Sequence, residues 1–182
     1  LGWKKGDIVL SSPMSFSAAS NCILYSNATP GFVDIDKSSY NIDVNQLEKK
    51  IKYLNFRSKK VVAVVATDYA GNPCDMDALC ELRDRHGFRI VEDAAHAFGS
   101  TYKGKKIGGF GDIVCFSFDS IKTITCGEGG AIICQDESLD KLLRNKRLLG
   151  MERESQTSSA WKERGWRYDV TQQGFRYHMS NI

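Results

Sequence analysis

The sequence predicts an α/β domain, a mostly parallel sheet sandwiched by helices. Three observations carry that prediction. Short apolar runs alternate with helical segments along most of the chain, the order that builds a parallel sheet with helices on its faces. The run VVAVVA at 61–66 is apolar without alternation, as in a strand buried on both faces. Loops rich in glycine and asparagine separate the runs: GNP at 71–73, GKKIGGFGD at 104–112 and CGEGG at 126–130.

Taken in order, the first strand is read at 7–10 (DIVL) and a helix at 17–26, after SSPMSF. A second strand follows at 31–35 (GFVDI), a helix at 44–54 and the apolar strand at 60–66. The GNP loop leads to a helix at 75–86 and a strand at 88–91 (FRIV). Strands at 113–117 (IVCFS) and 131–134 (AIIC) precede a last helix at 137–149, where Leu139, Leu142 and Leu143 form one apolar stripe and Ser138 or Asp136 supplies the cap. From Met151 through Lys162 the chain is rich in Ser, Glu, Arg and Gln and lacks periodicity, so 151–165 is expected to be a mobile loop. No internal repeat is visible, and 1–182 is read as a single domain.

The bulk properties exclude several functions. At 182 residues, 42% hydrophobic and 26% charged, the chain suits a soluble domain with one sizeable core. A net charge of +3, with basic residues interleaved among acids, gives no basic stripe for nucleic acid. No apolar run approaches the roughly 18 to 20 residues of a membrane span, and the charged start LGWKKGD lacks the apolar centre of a signal peptide. These features predict a cytoplasmic protein without a membrane segment. Six scattered cysteines with no C-x-x-C pair predict no metal site and no disulfide framework. They are read as reduced, mostly buried small residues, with Cys126 the exception because it lies near Lys122. A dinucleotide site would need G-x-G-x-x-G directly after the first strand, and SSPMSF stands there instead.

Two runs carry chemistry. VEDAAHAFGS at 91–100 and FSFDSIKTITCGEGG at 116–130 each place a reactive side chain at the end of an apolar strand, where parallel α/β sheets gather their sites. Together they read as a site for pyridoxal 5'-phosphate, which needs an imine-forming lysine, an acid facing the pyridine nitrogen and donors for the phosphate. Lys122, Asp93 and Ser117 are the candidates, in that order. The lysine must be partly neutral to work, and the flanking Ile121, Thr123 and Ile124 suggest a shielded position that would lower its pKa. Ser117 alternates with Phe116 and Phe118, which puts its hydroxyl on the opposite face of the strand from the two rings.

Five blocks, in order, carry a resemblance: SSPMSFSAASNCILYSNATPGFVDID at 11–36, DYAGNPCDMDAL at 68–79, the two runs above, and GFRYHMSNI at 174–182. The chain resembles the DegT/DnrJ/StrS sugar-nucleotide aminotransferases, a branch of the aspartate-aminotransferase fold (fold type I of the pyridoxal phosphate enzymes). The resemblance implies the large, cofactor-binding domain of that fold, with Lys122 as the Schiff-base lysine, Asp93 as partner of the pyridine nitrogen and Ser117 as a phosphate ligand. It also places His96 near the phenolic oxygen and Phe16 over one face of the ring. Two positions depart from the family. Asp119 stands where many members carry His or Tyr. Arg176 replaces an asparagine that reaches a phosphate across the dimer interface, and a guanidinium fork suits the same ligand.

The resemblance further implies transamination of a nucleotide-linked keto-sugar with an amino donor such as glutamate, in a homodimer. The family chain is longer, so this one is read as a fragment without the N-terminal phosphate-binding segment and the C-terminal small domain, an expectation that agrees with its first residue being Leu and with GFRYHMSNI ending in what reads as the start of a helix. Two rivals are kept. One is a catalytically silent domain of the same fold. The other is a sugar dehydratase of that fold, against which Lys122 argues, because that branch carries histidine at this position.

Overall fold

The computed structural model describes residues 1–152 and 169–181. Its elements are β1 (Ile8–Ser11), α1 (Ala18–Tyr25), β2 (Thr29–Phe32), α2 (Val44–Phe56), β3 (Val61–Thr67), α3 (Met76–His86), β4 (Arg89–Asp93), β5 (Thr101–Tyr102), β6 (Lys105–Lys106), β7 (Ile113–Ser117), β8 (Gly130–Cys134), α4 (Glu137–Lys146), β9 (Met151–Glu152) and β10 (Asp169–Val170). Six strands form the main sheet in the order β2-β1-β3-β4-β7-β8. The first five are parallel and β8 runs antiparallel to β7 at one edge, so the expected α/β class and mostly parallel sheet are found.

β3 is VVAVVAT, with only Val62 short of full burial, because helices cover both faces of the central strands. On one face Leu10, Val64, Ala66 and Ile90 pack with Leu47 and Ile51 of α2 and Met76, Leu79 and Leu82 of α3. On the other, Val9, Ala63 and Val65 meet Ala19 and Ile23 of α1. Each fully buried Leu or Ile contributes roughly 1.5–3 kcal/mol, so these two layers dominate the stability of the fold. A third cluster, Ala94, Ala97, Ile107, Val114 and Phe116, closes the region beyond β4 and β7.

The register decides where the chemistry falls. Thr67 pairs with Asp93 at the carboxyl ends of β3 and β4, and Asp93 with Cys115, two residues before the carboxyl end of β7. Side chains alternate along a strand, so Thr67 and Asp93 lie on the α1 face, while Ala66 and Glu92 lie on the face of α2 and α3.

Several details differ from the sequence reading. β2 lies at Thr29–Phe32 rather than 31–35 because its amides are in register with β1: Thr29 N–H donates to Asp7 O and Val33 N–H to Ser11 O, both at 2.9 Å. The chain then turns at Asp36, whose Oδ1 accepts from the amides of Ser38 (3.0 Å) and Ser39 (2.9 Å). β4 continues past 91 to Asp93. The loop read at 104–112 holds β6, paired with β5 through a two-residue turn in which Lys103 (φ 48°) and Gly104 (φ 79°) both take the left-handed conformation that a tight hairpin needs.

Of the loop expected at 151–165, Met151 and Glu152 are in strand β9, paired with β10, and 153–165 lie outside the described residues. Residues 177–181 are not helical; their segment is tied by Tyr177 N–H to Arg147 O (2.9 Å) and Ser180 N–H to Glu128 O (3.1 Å). No residue of α4 is fully buried, so its leucine stripe is only partly covered, and its cap is Asp136 rather than Ser138. Of the cysteines only Cys74 is buried; Cys22 is exposed and the other four, Cys80 in α3, Cys115 in β7, Cys134 in β8 and Cys126 in a loop, are intermediate, which corrects the reading of mostly buried residues, since these positions are only partly covered by the helical layers. Among the described residues no helix is long and apolar enough to cross a membrane.

Candidate active site

A pocket of about 300 Å3 opens at the carboxyl edge of the sheet, lined by Ala70, His96, Ile121, Lys122 and Thr123. Three segments build it. The first follows β3: a tight turn at Tyr69–Gly71 in which Ala70 takes φ 53°, a left-handed conformation costing a residue with a Cβ about 1–2 kcal/mol. Gly71 follows at φ 82°, and a Cβ there would stand 2.8 Å from His96 O, so the first and second segments touch through bare backbone. Ser100 Oγ–H donates to Gly71 O (2.9 Å) and locks the same contact. Asn41, almost fully buried, holds the turn from the other side: its Oδ1 accepts from Tyr69 N–H and its Nδ2 donates to Asn72 O, both at 2.9 Å.

The second segment follows β4. Asp93, half-buried, accepts from Ala95 N–H at Oδ1 (3.2 Å) and from the Thr67 hydroxyl at Oδ2 (3.5 Å), a long bond that leaves room for a stronger donor. Beyond it, Ala94 and Ala97 are buried and His96 projects to the pocket. Phe98 meets Phe116 and Phe118 edge to face, at 5.4 and 5.3 Å between ring centroids, fixing this turn against the end of β7. The thiol of Cys115, opposite Asp93 in the sheet, is pushed up to about 12, first by burial and then by the charge of Asp93. That thiol therefore stays neutral beside Asp93.

The third segment follows β7. Ser117 Oγ accepts from Asp119 N–H (3.3 Å), which leaves the Ser117 proton to donate outward. Asp119 Oδ1 accepts from Ile121 N–H (3.2 Å) and Lys122 N–H donates to Asp119 O (3.0 Å), so Asp119 shapes the turn that presents Lys122. The loop is closed at its base by Phe118 N–H to Gly129 O (2.8 Å) and Cys126 N–H to Phe118 O (3.0 Å). The Cys126 thiol donates within this loop, to Glu128 O at 3.2 Å.

The residues read from sequence therefore separate into three groups. Lys122 and His96 meet in one pocket. Asp93 and Ser117 sit at neighbouring strand ends on the same face, outside its immediate lining. Phe16 and Arg176 stand apart: Phe16 is 78% exposed and so is no part of the core, and Arg176 is exposed beside Leu148, with which it forms a β-bridge. The shielding expected around Lys122 is not found, since Ile121 is 84% exposed and Lys122 half-buried on a turn that projects beyond the sheet. Thr67, Ala70 and Asn41 were not read as site residues. GNP at 71–73 reads as a loop, but only the fold shows that Asn41 reaches Tyr69, just before it, across 28 residues.

The model of the DegT/DnrJ/EryC1/StrS aminotransferase family matches residues 1–182. GDP-perosamine synthase of Escherichia coli O157:H7 is 38% identical over 183 residues, covering 100% of this chain and 45% of that protein. Helicobacter pylori PseC, an aminotransferase of pseudoaminic acid biosynthesis, superposes with a TM-score of 0.81 at 31% identity over 98% of this chain and 43% of its own. The Spr1654 protein of Streptococcus pneumoniae, solved in a PLP form, gives a TM-score of 0.78 at 27% identity over 97% of this chain and 46% of its own. The chain thus spans a little under half the length of these relatives. With a match along its whole length and the strand-end site of a pyridoxal phosphate fold, this chain belongs to the DegT/DnrJ/EryC1/StrS aminotransferase family.

Proposed function

We propose that this chain forms the cofactor-bearing part of a pyridoxal phosphate-dependent aminotransferase that acts on a nucleotide-linked keto-sugar, takes its amino group from a donor such as glutamate, and works as a homodimer. The observation that carries the reading is the meeting of Lys122 and His96 in one pocket, with Asp93 and Ser117 at the adjoining strand ends. This donor set fits the cofactor: an amine, an acid and a hydroxyl with a free proton share one edge of the sheet. When bound, pyridoxal phosphate supplies an electron sink for breaking a bond at the carbon bearing the amine.

Each residue then has a task. Asp93 would hold the protonated ring nitrogen of the cofactor, and its charge would support the electron sink that the ring supplies. Thr67 and the Ala95 amide hold the Asp93 carboxylate in place. Ser117 donates its proton to the phosphate, and Arg176 and Phe16 are assigned to phosphate and ring face once further protein surrounds them. His96, in the pocket lining, would face the phenolic oxygen. Lys122 Nζ would hold the cofactor until the donor's amine displaces it, and the freed amine would then take a proton from the donor's α-carbon and deliver it across the site.

The test mixes the purified chain with pyridoxal phosphate, reduces with borohydride and locates the label by mass spectrometry. Reduction onto Lys122, lost in Lys122→Ala and weakened in Asp93→Asn, is expected. Label spread over surface lysines would overturn the reading and favour a silent domain, a rival supported by the exposure of Ile121 beside the lysine.

A further inference from the structure

Behind the site, on the opposite face of the sheet, two acids are sealed in the core. Asp68 and Glu92 are both fully buried, directly after β3 and within β4. Each has one oxygen satisfied. Asp68 Oδ1 accepts from Cys74 N–H (2.9 Å), and Glu92 Oε2 accepts from Gly111 N–H (3.1 Å). The other two oxygens, Asp68 Oδ2 and Glu92 Oε1, have no donor among the described residues. The two side chains are nevertheless within hydrogen-bonding reach of each other, and among the described residues no ion pair includes either.

Two buried carboxylates facing each other without a cation cannot both stay ionised; one proton between them turns repulsion into a charge-assisted hydrogen bond. The backbone leaves the pair little room to move apart. A Cβ on Gly111 would lie 2.9 Å from Glu92 Cβ, so the loop before β7 closes directly on this side chain. The remaining titratable neighbours are Cys74, whose thiol donates to Thr67 O (3.3 Å) and is held well above its ordinary range by burial and by Asp68, and Asp93, whose charge adds to that of Asp68.

We propose that Asp68 and Glu92 share one proton and act as a clamp between the ends of β3 and β4, making both positioning residues for Asp93. The link to Asp93 is short. Asp68 N–H donates to Asp93 O (3.0 Å), and Thr67 and Asp93, one residue from each member of the pair, meet on the site face. Pulling the two acids together on one face therefore fixes the Thr67–Asp93 contact on the other. Loss of the shared proton leaves two charges in one buried space and pushes the strand ends apart. The importance of this for chemistry rests on the role proposed above for Asp93; the clamp itself does not.

The experiment uses carbon-detected NMR of the chain labelled at its Asp and Glu carboxyls, together with amide hydrogen exchange at Asp68. The expected result is that the Asp68 and Glu92 carboxyls titrate as a pair, both above their ordinary range, with Glu92 raised to about 7 by burial and by the charge of Asp68. As they lose the proton, protection of the Asp68 amide, corrected for the intrinsic rate, falls by roughly tenfold between about pH 6 and 8.5, as for a shift of about one pKa unit. In Glu92→Gln the amide donates permanently where the proton sat, so this fall disappears. Asp68→Asn, donating in the other direction, gives the same result and serves if Glu92→Gln does not fold. Separate carboxyl titrations near their ordinary values, or an unchanged exchange profile in the amide variants, would overturn the clamp. A joint titration with no change at the Asp68 amide would overturn its positioning role. Neither readout involves pyridoxal phosphate, so a failure to label Lys122 would strike the functional reading alone.

Discussion

Asn41 shows how far the pocket depends on a residue that takes no part in the chemistry. Its amide side chain joins Tyr69 N–H and Asn72 O, the two ends of the turn that places Ala70 in the pocket wall. Asn41→Ala removes both of these part-buried hydrogen bonds, and the expected loss is about 1 kcal/mol in urea unfolding, with slower labelling of Lys122. An unchanged midpoint would mean that water replaces the amide without cost. Lys122, Asp93, His96 and Ser117 could be proposed from the sequence because each lies inside a motif whose chemistry is local. Asn41 and Thr67 could not, because their partners are 28 and 26 residues away and exist only once strands are in register. The burial of Lys122 was misread for a related reason: apolar neighbours in sequence do not shield a side chain when the turn carrying them stands clear of the sheet.

At the scale of elements, α2, α3 and α4 are held at their starts by aspartates. Asp43 Oδ1 accepts from Asn45 N–H (2.8 Å) and Gln46 N–H (3.0 Å) at the start of α2, which then buries Leu47 and Ile51. Asp43→Ala is expected to cost about 1 kcal/mol, measured as a shift of the unfolding midpoint at unchanged slope, and Asp43→Ser to restore most of it. A changed slope would show instead that α2 frays independently. The main strands were legible because burial on both faces leaves an unbroken apolar run, as in 61–66. The two-residue ribbons were not, since β5 with β6 and β9 with β10 carry no pattern long enough to show a period. Lys103–Gly104 was the one local signal of the first, and nothing near Met151 announced its pairing with Val170.

For the whole molecule, acids shifted in opposite directions set the response to pH. Hydroxyl and amide donors from Ser38 and Ser39 hold Asp36 near about 2, and donors from Ser138 and Leu139 lower Asp136. Carboxyls lowered in this way contribute stability above their ordinary pKa and lose it as pH falls through the folded value. Glu92 acts in the other sense. Raised to about 7, it binds its proton more tightly folded than unfolded, so stability declines as pH climbs from its ordinary value of 4.5 and levels off above the folded one. Thermal unfolding is therefore expected to be highest near about pH 5 and to fall toward pH 8, with Glu92→Gln removing only the alkaline fall. A wild-type melting temperature that stays flat from pH 5 to 8 would contradict this.

The two margins of the main sheet are not equivalent. In β2 the amides of Thr29 and Val33 turn inward to β1, so by alternation Pro30 occupies an outward position, where it has no N–H to offer. At the other margin β8 has no proline along Gly130–Cys134, and Ile132 and Ile133 are both exposed. Among the described residues no strand lies beyond either. Sheet extension is thus interrupted at one border and permitted at the other, so the molecule has a built-in polarity for lateral growth: an additional strand, from this protein or another, finds an unbroken ladder only beside β8.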